Sequence, residues 1–147
     1  MIRRFGETPD LTRRYTIRHG VYAILERNGS LLLTYQGAPH DEVQLPGGGV
    51  DPGESPLCAL HREVMEETGW IIARPRRLGA YRRFTFMPEY DLWAEKICSI
   101  YLAYPVRRHG PPTEEDHTTL WASPEVAATT LENSGDSHFV KTLWQLT

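Results

Sequence analysis

Between Pro46 and Gly53 six of eight residues are glycine or proline (PGGGVDPG), and no regular element is expected to run through such a stretch. Glycine loses backbone entropy when held in a helix or strand, and proline removes a backbone donor and fixes its own φ. The segment is therefore predicted to be a loop, and any helix beyond it must start afresh. Ser55 and Pro56 supply that start, a capping side chain followed by proline at the first helical position, and Gly69 supplies a stop. Within the framed stretch, 56–68, Leu57, Leu60 and Val64 recur at helical spacing.

On the near side of the loop, two β-rich runs between Ile17 and Tyr35 flank Asn28-Gly29, a dipeptide that tolerates the positive φ angles of a two-residue hairpin turn. Residues 1–15 mix charge with few apolar side chains and read as an arm ordered by packing on the rest. On the far side, Trp70–Phe86 and Ala94–Val106 read as strands, with Met87–Asp91 as the turn between them. Thr118–Trp121 is a short strand candidate. Ser123-Pro124-Glu125 opens a helix reaching about Leu131, and Asp136 is expected to cap a terminal helix ending near Leu146. Helices separated by strands predict a mixed α/β chain, and 147 residues fit one domain over 1–147.

Sixteen Lys plus Arg against nineteen Asp plus Glu leave a net charge of −3, which argues against a nucleic-acid binder driven by bulk phosphate neutralisation. Fourteen of the sixteen bases are arginine, so forked contacts to small phosphates remain available. Cys58 and Cys98 are the two cysteines, and their spacing fits neither a zinc site nor a disulfide framework. No run approaches the roughly 18–20 apolar residues of a membrane span. A cytoplasmic protein without membrane contact is expected. Two copies could pair through an edge strand or the arm, and nothing in the sequence compels it.

The glycine loop does not match the known phosphate loops. From Gly48 to Gly53 the spacing opens like a P-loop, but Glu54 stands where that motif needs lysine, and a carboxylate there would repel the phosphate. The order of glycines does not give a dinucleotide fingerprint, and Leu57 stands where a serine elbow needs its second glycine. The framed helix beyond the loop is acidic: Glu63, Glu66 and Glu67 fall at i, i+3 and i+4, within about 100° of one another. Such a run can be a solvated helix face beside His61 and Arg62. The alternative is a site for a hard divalent cation, and all-oxygen ligation points to Mg²⁺ or Mn²⁺, which bind a few carboxylates together with substrate phosphates.

Spacing decides between these. Gly48, Glu54, Arg62-Glu63, Val64, Glu66-Glu67, Gly69 and Trp70 fill all nine defined positions of the pattern G-x5-E-x7-R-E-U-x-E-E-x-G-U, with U apolar, over 23 residues. In this the chain resembles a Nudix hydrolase. The resemblance extends less sharply to the Leu45-Pro46-Gly47-Gly48 lead-in, the preceding hairpin and the Glu-rich segment running into Trp121. It implies an α/β/α sandwich around a mixed β-sheet, and hydrolysis of the pyrophosphate linkage in a nucleoside diphosphate linked to another group.

The resemblance also implies roles. Glu66 and Glu67 would hold the cation, Glu63 would hold it or act as base toward water, and the carbonyl of Gly48 is the backbone ligand expected. Arg62 would pair with Glu54 and orient the helix. A further acidic ligand is expected from a later loop, where Glu115 lies six residues before Trp121, with Glu114 and Asp116 competing. For substrate, Arg83, Phe84 and Tyr35, with Tyr90 and Trp93, could stack a base or clamp a phosphate, although strands commonly use aromatics for packing. Thr85, Phe86 and Met87 match neither the proline of the ADP-ribose group nor the tyrosine of the diadenosine polyphosphate group. The function expected is Mg²⁺-dependent pyrophosphohydrolysis of a small nucleotide, a nucleoside triphosphate, oxidised or not, or a diphosphate derivative. The alternatives are a nucleotide-sensing module without turnover and removal of pyrophosphate from RNA 5′ ends.

Overall fold

Asn28 and Gly29 take φ values of 52° and 82°, the paired positive angles of the tight hairpin turn that the dipeptide predicts. The turn joins β2 (Thr16–Arg27) to β3 (Ser30–Gln36) in a computed structural model that describes residues 2–147. Around these lie β1 (Arg3–Arg4), β4 (Glu42–Gln44), β5 (Gly47–Gly49), β6 (Trp70–Met87), β7 (Leu92–Arg108) and β8 (His117–Ala122). The helices are α1 (Pro56–Thr68), α2 (Pro124–Thr130) and α3 (Ser134–Leu143). One sheet runs in the order β1-β6-β7-β2-β3-β4, with β5 added on β2 and β8 on β3. It is mixed: β2 runs parallel to β7, β1 parallel to β6, and the remaining pairs are antiparallel.

Alternation along the strands gives the sheet two buried faces. Val21, Ala23 and Leu25 of β2, with Leu32, Tyr101 and Ala103, pack under Ala59, Leu60 and Val64 of α1. Ile24, from the other parity, joins Leu31, Leu33, Cys98, Ile100 and Leu102 beneath Ala127, Ala128 and Leu131 near α2 and Val140 of α3. Helices thus cover both faces, the α/β/α layering that the resemblance implies. No helix among the described residues is long and apolar enough to cross a membrane.

The strands at 70–87 and 92–108 and the short 3-10 turn Pro88–Tyr90 agree closely with the sequence reading, as does α2 with its Ser123 cap. The arm packs as expected: β1 adds to the edge of β6, the Phe5 amide donates to the Arg82 carbonyl at 3.0 Å, and Tyr15 lies edge-on to Phe84.

Two expectations fail. The glycine loop is not all loop, because Gly47–Gly49 forms β5, with Gly48 opposite Val21 and Gly47 opposite Tyr22. Missing side chains are what allow the pairing, since a Cβ on Gly47 would run into the Val21 carbonyl and one on Gly48 would sit 2.5 Å from the Glu63 carboxylate. Nor is Asp136 a cap. Asn133 caps α3, accepting from the Gly135 amide at 2.8 Å, which leaves Asp136 buried in the first turn, and the helix ends at Leu143.

Gly69 ends α1 with φ 76°, donating to the Met65 carbonyl at 2.9 Å, and a Cβ there would collide with the Gly110 carbonyl. Gly69→Ala is expected to destabilise the fold by about 1–3 kcal/mol, read as a lowered urea midpoint with unchanged m-value. A midpoint equal to the parent's would contradict the strained-cap account.

Candidate functional site on helix α1

Helix α1 presents its acidic face because both ends are fixed. The Ser55 hydroxyl accepts from the Cys58 amide at 3.1 Å and Gly69 closes the other end, so Glu63, Glu66 and Glu67 share one side. Arg62 binds this side together. Its Nε donates to Glu54 Oε2 at 2.8 Å and its Nη2 to Glu54 Oε1 at 2.9 Å, a forked pair. Nη1 donates to Glu63 Oε1 at 3.0 Å and lies 3.4 Å from Glu66, while Nη2 also reaches the Gly49 carbonyl at 3.1 Å. The Asp51 amide donates to Glu54 Oε1 at 3.0 Å. These bonds, the Arg62 fork foremost, hold the Glu54 carboxyl down at about 2.

The other carboxylates are pushed the opposite way. Burial raises the Glu63 carboxyl against the pull of Arg62, and burial raises Glu67 further, although the Gly47 amide donates to its Oε1 at 3.1 Å. Glu63, Glu66 and Glu114 add repulsion. Behind Glu67 stands His117 of β8, its Nε2 3.7 Å from Glu67 Oε2 and its Nδ1 paired with the Thr34 hydroxyl at 2.9 Å. Burial lowers the His117 pKa.

The segment after β7 is pinned to the helix by the Glu66 carbonyl, which accepts from the Thr113 amide at 2.8 Å and the Glu114 amide at 3.0 Å. Glu114, Glu115 and Asp116 are all exposed, and Glu114 is the carboxylate of that segment whose charge reaches Glu63 and Glu67. Among the described residues no three Glu, Asp, His or Cys side chains converge closely enough to hold a cation in the present rotamers. The donor set nevertheless suits one. It is carboxylate oxygen throughout, burial and neighbouring carboxylates make two of its members resist ionisation, and Gly48 leaves the space that the Glu63 carboxylate occupies.

A cleft of about 1000 Å³ opens beside this face, with Gly48, Glu63 and Glu67 in its lining. Of the substrate candidates, Arg83 and Tyr90 line it, while Tyr35, Phe84 and Trp93 do not. Phe84 is 7% exposed and packs on Tyr15. Among the lining residues that sequence reasoning missed are Tyr22, Lys96, His117 and Asp136. Lys96 carried a signal, since it shares the parity of Cys98, Ile100 and Leu102 and is the one charge in an otherwise apolar row. Asp136 accepts from the Tyr81 hydroxyl at 2.6 Å.

The motif, the layering and the acidic face together define a Nudix-type chain. Residues 14–143 match the family model described as NUDIX domain, and the chain belongs to the Nudix family. It is 32% identical over 111 residues to the CTP pyrophosphohydrolase of Escherichia coli (strain K12), covering 73% of this chain and 76% of that protein. A relative from Bacillus subtilis (strain 168), named for 8-oxo-dGTP diphosphatase activity, is 49% identical over 53 residues, 36% of each chain. This chain thus spans about a third of that relative's length. A NUDIX hydrolase structure from Nitrosomonas europaea superposes with TM-score 0.71 at 19% identity, covering 88% of this chain and 90% of that one, a likeness of fold.

Burial pushes the Asp136 carboxyl from 3.8 up to about 6, against the Tyr81 hydrogen bond and the charges of Arg83 and Lys96. A carboxyl that keeps its proton longer folded than unfolded contributes stability that is fully present below its unfolded pKa and lost as pH rises through the folded one. The melting-temperature difference of Asp136→Asn minus parent should therefore climb between about pH 4 and 7. A flat difference would show that Asp136 does not titrate in that window.

Proposed function

We propose that this chain is a Mg²⁺-dependent pyrophosphohydrolase that cuts the diphosphate linkage of a small nucleotide, a nucleoside triphosphate or a nucleoside diphosphate derivative. The observation that carries the reading is the acidic side of α1, Glu63, Glu66 and Glu67, beside a cleft of nucleotide size that Glu63 and Glu67 line. In this reading Glu66, Glu67 and the Gly48 carbonyl hold the cation, with Glu114 the nearest supplement from the segment after β7. When bound, Mg²⁺ supplies countercharge for the phosphates and for the charge developing on them.

The chain's own groups do the rest. Arg62 occupies Glu63 Oε1, which leaves Oε2 to take a proton from the attacking water. Proton affinity raised by burial suits Glu63 to that task. Glu54 and Arg62 act by position: their fork fixes the stem of the acidic face and the turn entering α1. Arg83 lies along the cleft, where a substrate bound by its phosphates at the acidic end would extend.

Glu66→Gln and Glu67→Gln should each lower kcat by about 10²-fold or more while leaving circular dichroism and the melting temperature near the parent's. Chelation of Mg²⁺ should abolish release of pyrophosphate from a deoxynucleoside triphosphate panel, and re-addition should restore it. Near-parental turnover in both variants would overturn the assignment of the cation to this helix. Identifying nucleoside monophosphate plus pyrophosphate as products would locate the cut between the first and second phosphorus.

A further inference from the structure

Lys96 has no task in the chemistry at phosphorus, and its position calls for one. It lies on β7 directly opposite Arg83 of β6, and both side chains line the cleft on the face that α3 covers, away from the carboxylates of α1. A largely buried lysine is ordinarily found against a carboxylate. Among the described residues no carboxylate oxygen lies within 4.0 Å of Lys96 Nζ, and Lys96 makes no ion pair. Its neighbour is Tyr22, with Nζ 5.7 Å from the ring centroid.

That ring is held in place. A Cβ on Gly20 would come within 2.9 Å of Tyr22 Cε2, and one on Gly47 within 2.8 Å of Cδ1, so two glycines make the slot the ring fills. Tyr22 beside it pulls the Lys96 pKa up and burial pulls it down, and the net direction is upward, so the group is a charged donor. The cleft floor therefore offers two cationic donors, Lys96 and Arg83, beside Asp136, whose Oδ1 already accepts from Tyr81.

A phosphate does not suit this floor, because the Asp136 carboxyl would face it and because α1, with the carboxylates that would hold the cation, packs on the other face of the sheet. A base edge suits it: a carbonyl oxygen accepts from an ammonium, whereas an exocyclic amine would set donor against donor. We propose that Lys96 is a specificity-determining residue, donating to a carbonyl oxygen on the edge of the base so that keto bases are taken in preference to amino bases. The inference rests on reading the cleft as a nucleotide site.

Two substrate pairs of matched shape test it, deoxyinosine against deoxyadenosine triphosphate and deoxyuridine against deoxycytidine triphosphate. The parent should favour the keto member of at least one pair by about 10- to 100-fold in kcat/KM. Lys96→Met should bring that ratio close to one while kcat on the keto substrate stays near the parent's, and Lys96→Arg should keep part of the preference. A ratio is internal to one preparation, so partial unfolding of a variant cancels from it. Equal loss on all four substrates would identify a phosphate contact and overturn the proposal, as would a preference unchanged in Lys96→Met or absent from the parent.

Calorimetric binding of the four matching monophosphates separates this inference from the hydrolase reading. Keto-selective binding that Lys96→Met abolishes, without turnover of any triphosphate, would uphold the role of Lys96 and overturn the hydrolase. Turnover without selectivity would do the reverse. A parent that neither binds any of the monophosphates nor discriminates between the triphosphates would overturn base reading by Lys96.

Discussion

Three glutamates on one side of α1 repel one another, and the guanidinium of Arg62 is what allows the helix to carry them. One planar cation spends its fork on Glu54 and its remaining donor on Glu63, with Glu66 and the Gly49 carbonyl at the margin. Lysine could not do this, because a point charge cannot hold two parallel bonds to one carboxylate while facing a second. The consequence is division of labour within a cluster of like charge. Glu54 is fully compensated and stays ionised, whereas Glu63 is half compensated, and Glu67 has a backbone amide in place of a cation. On the proposed reading, charge left over in this way suits the face to a cation and sets it apart from a solvated helix surface.

Glycine transmits that arrangement to the sheet. β5 is three glycines laid against β2, and its flatness lets α1 approach until the Glu63 carboxylate rests over Gly48 and the Glu67 carboxylate receives the Gly47 amide. The same flatness serves the opposite face, where the Tyr22 ring fits against Gly47 and Gly20. One short strand thus couples the acidic end of the cleft to the aromatic slot beside Lys96. Any side chain at 47 would disturb both.

Local rules were legible in the sequence. The Asn28-Gly29 turn, the Ser55-Pro56 start and the Gly69 stop act within a few residues, and each appears where those residues stand. Helical spacing carried the acidic face, and the Nudix resemblance over Gly48 to Trp70 implied the Arg62–Glu54 pair that the structure forms. What the sequence hid depends on partners far along the chain. β5 exists because Gly47–Gly49 meets Gly20–Tyr22, and a search for continuous apolar runs cannot see it. Asp136 had the composition of a cap, but Asn133 caps α3 and Asp136 turns inward to Tyr81, 55 residues earlier. Tyr35 and Phe84 were plausible by residue type and stand outside the cleft lining, because side-chain parity on a strand is set by which neighbours it meets.

A net charge of −3 therefore misdescribes the surface that matters. The cleft lining joins carboxylates beside β5, Glu63 and Glu67, to the cationic donors Arg83 of β6 and Lys96 of β7 on the sheet face that α3 covers. A nucleotide has the complementary polarity once a divalent cation is counted with its phosphates, acidic and metal-seeking at one end, polar and uncharged at the other. Reversed, the phosphates would meet Asp136 and lose their cation, while the base would face bare carboxylates. On the proposed reading, the placement of these charges favours one direction for such a ligand.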